Sequence, residues 1–196
     1  MPRFLKFAIP AMLVGLVLAL LYALLSASSK GGNEDQVAKL ATGSLSKLNT
    51  DSRGTAASTS TFEGPDGREM TLGDFEGRVI LVNFWATWCG PCEREMPSLA
   101  ALQQAKGSDK FQVVAISVDA SDDKDYARQR LQELAGGNID FYFAPPEKWD
   151  IVYESKAQGF PTTVIYDADS KEIARLAGEA EWDSYEAVAL IDAITN

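Results

Sequence analysis

The 196-residue sequence contains no histidine and only two cysteines, and these shortages exclude several kinds of chemistry. Without histidine the chain cannot form a Cys–His or Ser–His nucleophilic centre, and it lacks the imidazole ligand of most zinc and copper sites. Two cysteines are half of the set that a structural zinc ion usually requires. They are also too few for a disulfide scaffold. We therefore expect neither a bound metal nor another cofactor.

Basic residues are also scarce, with 18 Lys and Arg against 28 Asp and Glu, so the net charge is −10. An acidic surface repels phosphate backbones, and we expect no nucleic-acid partner. Apolar residues make up 46% of the chain and charged residues 23%, a composition that supports a packed core. The length suits one domain of about 100–150 residues with an appendage.

Charged residues are absent from residues 7–25, and this run is long enough to cross a bilayer. As a helix it would extend roughly 28 Å at about 1.5 Å per residue. Arg3 and Lys6 precede it, so the positive-inside rule keeps the N-terminus in the cytoplasm and places the rest across the membrane. A cleaved signal peptide and a buried soluble helix are the alternatives. We predict an uncleaved transmembrane anchor over residues 1–28.

The remainder of the chain divides into a linker, residues 29–60, and a domain, residues 61–196. Ser, Thr, Gly and Asn dominate the first part, as is typical of a tether. In the second part, strand patterns alternate with helix patterns, which predicts an α/β fold with a mixed central sheet flanked by helices. The predicted elements are a hairpin around 65–67, a buried strand at 78–86, a helix at 89–104, a strand at 111–119, a helix through 134, a short strand, a helix opened by Pro146, a second hairpin, and a helix at 182–195.

The two cysteines, Cys89 and Cys92, lie where the buried strand gives way to a helix. A helix N-terminus stabilises an anion, so the pKa of the Cys89 thiol should fall. Gly90 permits the tight turn, and Pro91 is tolerated in the first helical turn. Cys89 would attack a disulfide and Cys92 would resolve the mixed disulfide. A structural disulfide is a weaker interpretation, because closing so short a loop removes little chain entropy. Half of a zinc site is weaker still.

"WCGPC" together with "GFPTT" at Gly159–Thr163 resembles the thioredoxin superfamily. "NFWATWCGPCEREMP" and the inserted segment at 139–157 are similar to its membrane-anchored, exported branch, which includes TlpA, ResA and CcmG. The tail "GEAEWDSYEA" looks most like TlpA. The resemblance covers residues 62–195. It implies a thioredoxin-like fold with an N-terminal hairpin and a central insertion.

The resemblance also implies roles for residues around the cysteines. Pro161 looks like the family's cis-proline, and Phe160 before it would face the substrate with its backbone free to pair. Trp88 would offer the client an apolar shelf next to the attacking cysteine. Trp149 and Trp182 are interpreted as core or interface aromatics.

We expect an acidic side chain near the cysteines to accept protons, at a different position from the acid of cytosolic thioredoxins. Cytosolic thioredoxins carry a buried aspartate where this chain has Asn83, which cannot accept a proton. In the exported branch, an acid three residues after the second cysteine is implicated instead, and here it is Glu95. A solvated helix charge is the alternative interpretation of Glu95.

The resemblance implies a disulfide reductase on the bacterial inner membrane, with its catalytic domain in the periplasm and a membrane thiol carrier as electron donor. Its clients would be a Sco-type copper chaperone or the copper subunit of cytochrome oxidase, or alternatively apocytochrome c. The cysteine pair alone permits electron flow in either direction. A thiol peroxidase fits less well. Peroxidases of this fold usually carry a threonine three residues before the reactive cysteine, whereas Thr87 lies two residues before Cys89. A non-catalytic copper chaperone also fits less well, because such proteins generally bind copper with a histidine in addition to two cysteines, and this chain has no histidine.

Overall fold

A seven-stranded mixed sheet with helices around it forms the core of the protein, in a computed structural model that describes residues 17, 19–22 and 37–195. The strand order is β2-β1-β5-β4-β3-β6-β7. The strands are β1 (Phe62–Glu63), β2 (Glu69–Met70), β3 (Val79–Trp85), β4 (Phe111–Ser117), β5 (Phe141–Phe143), β6 (Thr162–Tyr166) and β7 (Glu172–Ala177). The helices are α1 (Gly90–Lys106), α2 (Lys124–Ala135), α3 (Asp150–Glu154) and α4 (Tyr185–Thr195). The predicted α/β class and order of elements are confirmed.

Strand β3 lies near the middle of the sheet and determines where the cysteines are. All seven of its residues are buried, as expected for the apolar sequence VILVNFW. It pairs in parallel with β4 and antiparallel with β6. A parallel pair requires a crossover connection, and α1 provides it. The short segment between β3 and α1 therefore carries Cys89 to one edge of a rigid sheet.

Two helices differ in extent from the prediction. Helix α4 begins at Tyr185 instead of Trp182, because the Ser184 hydroxyl accepts a hydrogen bond from the Ala187 backbone N–H (3.3 Å) and caps the helix at this point. Helix α3 is only five residues long and follows a 3-10 turn at Pro146–Lys148. It ends early because Lys156 adopts a left-handed conformation with φ of 54°.

The predicted anchor, residues 1–28, lies almost entirely outside the described residues. Among the residues that the structure describes, no helix is both long and apolar enough to cross a membrane. The anchor therefore stays a prediction.

Residues 40–60, which we call the N-terminal arm, pack onto the domain although they belong to the predicted linker. Asn49 and Arg175 of β7 exchange two backbone hydrogen bonds of 2.8 Å, and Gly54 donates to the carbonyl of Glu172 further along β7. Leu45 is fully buried, and the turn Gly43–Leu45 contacts α4. The arm thus covers a strand edge whose backbone groups would otherwise be free to pair with another chain.

Because Leu45 is fully buried, we expect Leu45→Ala to lower the free energy of unfolding of the full chain by about 2–5 kcal/mol. Ser46→Ala, at an exposed neighbour, should change it by less than about 0.5 kcal/mol. Denaturant unfolding followed by tryptophan fluorescence measures both. Equal stability of the two variants would contradict a packed arm.

Candidate active site

Cys89 and Cys92 form a disulfide at the N-terminus of α1, with their Cα atoms 5.3 Å apart. Cys89 is the N-cap residue, and its Sγ accepts a hydrogen bond from the backbone N–H of Cys92 at 3.3 Å. Pro91 has no N–H to offer in this first turn. Cys89 is 7% exposed, whereas Cys92 is fully buried. Cys89 is therefore the member of the pair that retains some contact with solvent.

Four aromatic side chains form a continuous row that starts beside Cys89, and we call it the aromatic strip. Trp88, 61% exposed, makes an edge-to-face contact with Phe160 at 5.7 Å between ring centroids. Phe160 contacts Trp149 at 5.9 Å, and Trp149 contacts Tyr153 of α3 at 6.3 Å. The Phe160–Pro161 peptide bond is cis, as the resemblance implies. The sequence connected Trp88 and Phe160 with the site, but it missed Trp149 and Tyr153.

Glu95 is buried in the core, so the interpretation as a solvated helix charge is wrong. Its Oε1 accepts a hydrogen bond from the Asn83 side-chain amide at 2.7 Å. Its Oε2 accepts from the Ala180 backbone N–H and from the Trp182 indole N–H, both at 3.2 Å. Burial raises the pKa of Glu95 to about 7, and the three hydrogen bonds oppose that rise. The carboxyl can therefore take up or release a proton near neutral pH.

The Glu95 network joins parts of the chain that are far apart in sequence. The Asn83 amide, on β3, also donates to the Thr163 hydroxyl on β6 at 3.0 Å. Ala180 and Trp182 follow Glu95 by 85 and 87 residues, and no local signal in the sequence indicated their contact with it. Glu95 also lines a cleft of about 540 Å³ together with Ser44, Arg94, Ser98, Glu179, Ala180 and Glu181. Glu95 therefore lies at the boundary between the core and this cleft.

A second buried carboxylate, that of Asp119, fixes the loop that leads to the cysteines. It accepts hydrogen bonds from the Thr87 backbone N–H (3.1 Å), the Thr87 hydroxyl (2.7 Å) and the Ser117 hydroxyl (2.9 Å). The sequence analysis missed this role. The available signal was an acid just after β4, because the carboxyl ends of parallel neighbours meet at one edge of a sheet.

No group of three or more acidic or cysteine side chains is arranged to hold a metal ion in the described part of the chain. The two buried carboxylates near the disulfide, of Glu95 and Asp119, both accept hydrogen bonds from protein donors. The site thus combines two sulfurs that can exchange disulfides with a buried carboxyl group, that of Glu95, on the same helix.

Several known proteins are similar to this chain. ResA, a thiol-disulfide oxidoreductase of Bacillus thuringiensis subsp. konkukian (strain 97-27), is 29% identical over 116 residues. The alignment covers 58% of this chain and 63% of that protein, so the chain spans less than two thirds of the length of this relative.

Solved structures show the same fold. A thiol:disulfide interchange protein DsbE from Chlorobium tepidum is 27% identical with a TM-score of 0.62, and the match covers 74% of this chain and 98% of that one. The thioredoxin domain of a thiol-disulfide oxidoreductase from Bacteroides vulgatus, at 21% identity and a TM-score of 0.63 with the same coverage, supports the fold alone. The family model described as Redoxin matches residues 52–193, most of the chain. The protein therefore belongs to the Redoxin family and has a thioredoxin-like fold.

Proposed function

We propose that the protein is a thiol:disulfide oxidoreductase that reduces disulfides in client proteins through Cys89 and Cys92. The observation that carries this proposal is the asymmetric pair at a helix N-terminus, in which Cys89 caps the helix and is 7% exposed while Cys92 is fully buried. The similarity to ResA and to the DsbE protein supports the same activity. Trp88, Gly90, Pro91, Phe160 and Pro161 support the pair as the surrounding surface and turn.

The reaction needs only the two sulfurs. In the reduced enzyme, the Cys89 thiolate is stabilised by the Cys92 N–H and the helix dipole, and it attacks one sulfur of the client disulfide. The client's other sulfur leaves as a thiolate, and a mixed disulfide forms. Cys92 then loses its proton and attacks the Cys89 sulfur. The client leaves as a dithiol, having gained two electrons, and the enzyme disulfide that the structure shows is formed.

Glu95 is the proposed acceptor of the Cys92 proton. The two residues are three positions apart on α1, which places their Cβ atoms about 5–6 Å apart on one face of the helix. A carboxyl group whose pKa is about 7 can both accept the proton and return it to solvent at neutral pH. Asn83 holds the carboxyl in place through its 2.7 Å hydrogen bond.

The location and clients of the enzyme form a finer part of the proposal. The uncharged run at 7–25 after Arg3 and Lys6 supports a single-pass anchor in a bacterial inner membrane, with the domain in the periplasm. A membrane thiol carrier would supply electrons. The proposed clients are a Sco-type copper chaperone or the copper subunit of cytochrome oxidase, with apocytochrome c as the alternative.

Replacement of the cysteines tests their separate roles. We expect Cys89→Ser to reduce insulin-disulfide reduction by at least about two orders of magnitude, because the attacking thiolate is lost. Cys92→Ser should instead accumulate a mixed disulfide with its client, which non-reducing gels and mass spectrometry of membrane extracts detect. Full activity of Cys89→Ser would disprove the proposed function.

The pKa of Glu95 predicts how stability depends on pH. The carboxyl titrates near 4.5 in the unfolded chain and near 7 in the folded protein, so between these values the folded state holds a proton that the unfolded state has released. Stability should therefore be fully present below pH 4.5 and fall as the pH rises to about 7, by on the order of 3 kcal/mol from this group. Glu95→Gln should abolish that decline, as denaturant unfolding at several pH values would show.

Glu93→Gln is the matched control on the same helix. Arg130 holds the pKa of Glu93 below its usual value, so this carboxyl is charged throughout the range and adds no slope near pH 7.

In single-turnover exchange, Glu95→Gln should slow the release of client at pH 7 by about tenfold or more, as expected for the loss of a positioned proton acceptor. An unchanged release rate would remove Glu95 from the mechanism.

A further inference from the structure

Lys156 adopts an unusual backbone conformation beside the active site. Its φ of 54° lies in the left-handed region, which glycine tolerates and a residue with a Cβ adopts at a cost. Arg175 supports this turn by donating from Nη1 to the carbonyls of Ser155 (3.0 Å) and Lys156 (3.3 Å). The backbone N–H groups of Lys156 and Ala157 donate to the carbonyls of Tyr153 and Val152, so the left-handed conformation is that of a residue that ends a helix. Glycine or asparagine is usual at such a position, and a lysine there raises the question of what its side chain does.

Lys156 lines two neighbouring clefts. One cleft, of about 610 Å³, runs past Pro161 to β7, and the other, of about 510 Å³, is walled by Trp149 and Tyr153. Both include Phe160, whose ring contacts Trp88 next to Cys89. The clefts are thus continuous with the aromatic strip and with the sulfur that attacks the client.

The charge of these clefts is opposite to that of the protein as a whole. No aspartate or glutamate lines either cleft, although the chain carries a net charge of −10. Arg175 is neutralised by Glu172 through two contacts of 2.6 Å. Glu154 of α3 is bonded to the hydroxyls of Ser58 and Ser60 in the arm.

Lys156 is exposed and forms no ion pair with any described residue. Its ammonium group is consequently a positive charge without a direct ionic partner, beside the Tyr153 end of the aromatic strip. The chemistry that fits this combination is an aromatic or large apolar side chain followed by a carboxylate.

We propose that the aromatic strip and Lys156 together select client segments that carry an aromatic residue and an acidic residue near the disulfide to be reduced. The occupant is a disulfide-bearing polypeptide, and the inference rests on the function proposed above. The row of rings holds the client's aromatic side chain, and the Lys156 ammonium pairs with its carboxylate. Tyr153 and Lys156 determine which client binds and take no part in the exchange of sulfurs.

Synthetic disulfide peptides test the proposal with the full-length reduced protein. One peptide carries Trp and Glu beside its cysteine, a second carries Trp and Lys, and a third carries Ser and Glu. We expect the wild type to reduce the first with a kcat/KM about tenfold above that of the second. Lys156→Glu should reverse that order, and Lys156→Arg should preserve it. Lys110→Glu makes the same change of charge just before β4, at the opposite end of the parallel strands from Cys89. It should leave the order of the two peptides unchanged.

Two further variants separate selectivity from folding. Lys156→Gly relieves the left-handed strain, so its denaturation midpoint should equal or exceed that of the wild type while the preference for the Glu peptide over the Lys peptide is lost. Tyr153→Ala should lower kcat/KM severalfold for the Trp–Glu peptide but not for the Ser–Glu peptide. Tyr126→Ala, at an exposed tyrosine of α2, is the matched control.

The uncharged reagent 2-hydroxyethyl disulfide distinguishes the two levels of the argument. Wild-type reduction of this reagent reports on the exchange of sulfurs alone, because the reagent carries neither the carboxylate nor the aromatic ring that the surface is proposed to recognise. If the wild type reduces this reagent but shows equal kcat/KM for the three peptides, the selectivity proposal is overturned and the oxidoreductase stands. If the wild type reduces neither the reagent nor the peptides, both proposals fail.

Discussion

The desolvation of one carboxyl group, that of Glu95, governs how the active-site end of this protein is built. A buried carboxyl must find hydrogen-bond donors, because leaving it unsatisfied costs more than most single contacts contribute. Its donors are Asn83 of β3 and the segment at 180–182 before α4. Satisfying Glu95 therefore ties the cysteine-bearing helix to both the centre of the sheet and the C-terminal helix. The Glu95 carboxyl, which is proposed to accept a proton, therefore also links these parts of the structure.

The amide at position 83 is a consequence of that arrangement. Its nitrogen lies 2.7 Å from one Glu95 oxygen, so an aspartate there would place a second carboxylate against the first in a largely buried site. Like charges at such a distance cannot both ionise. An amide carries no charge, and its nitrogen donates to both Glu95 and Thr163. The absence of an acid at position 83 of β3 and the presence of Glu95 on α1 thus follow from the same constraint, which is that this site holds one carboxyl group.

Much of the architecture could be predicted from the sequence because it depends on local pattern. The apolar run in β3 and the cysteine spacing each identify an element from adjacent residues, and Gly136 and Gly137 mark the end of α2. The environment of Glu95 could not be predicted, because one of its hydrogen-bond donors lies 85 residues later in the chain. The residues around Glu95 in the sequence do not indicate whether such a donor exists. The arm escaped prediction for another reason. Its pairing with β7 uses backbone groups that every residue carries, so a Ser- and Thr-rich composition hides it.

Cys89 and Cys92 are the only cysteines in the sequence, and this limits the protein to a capacity of one electron pair. In the proposed reaction, the donor and the client would therefore take turns at the Cys89 sulfur. Kinetics of this kind are double-displacement, and an excess of either partner inhibits by occupying the form of the enzyme that awaits the other. The proposed client surface would then also have to admit the electron donor, so that donor and client would share the features that this surface recognises.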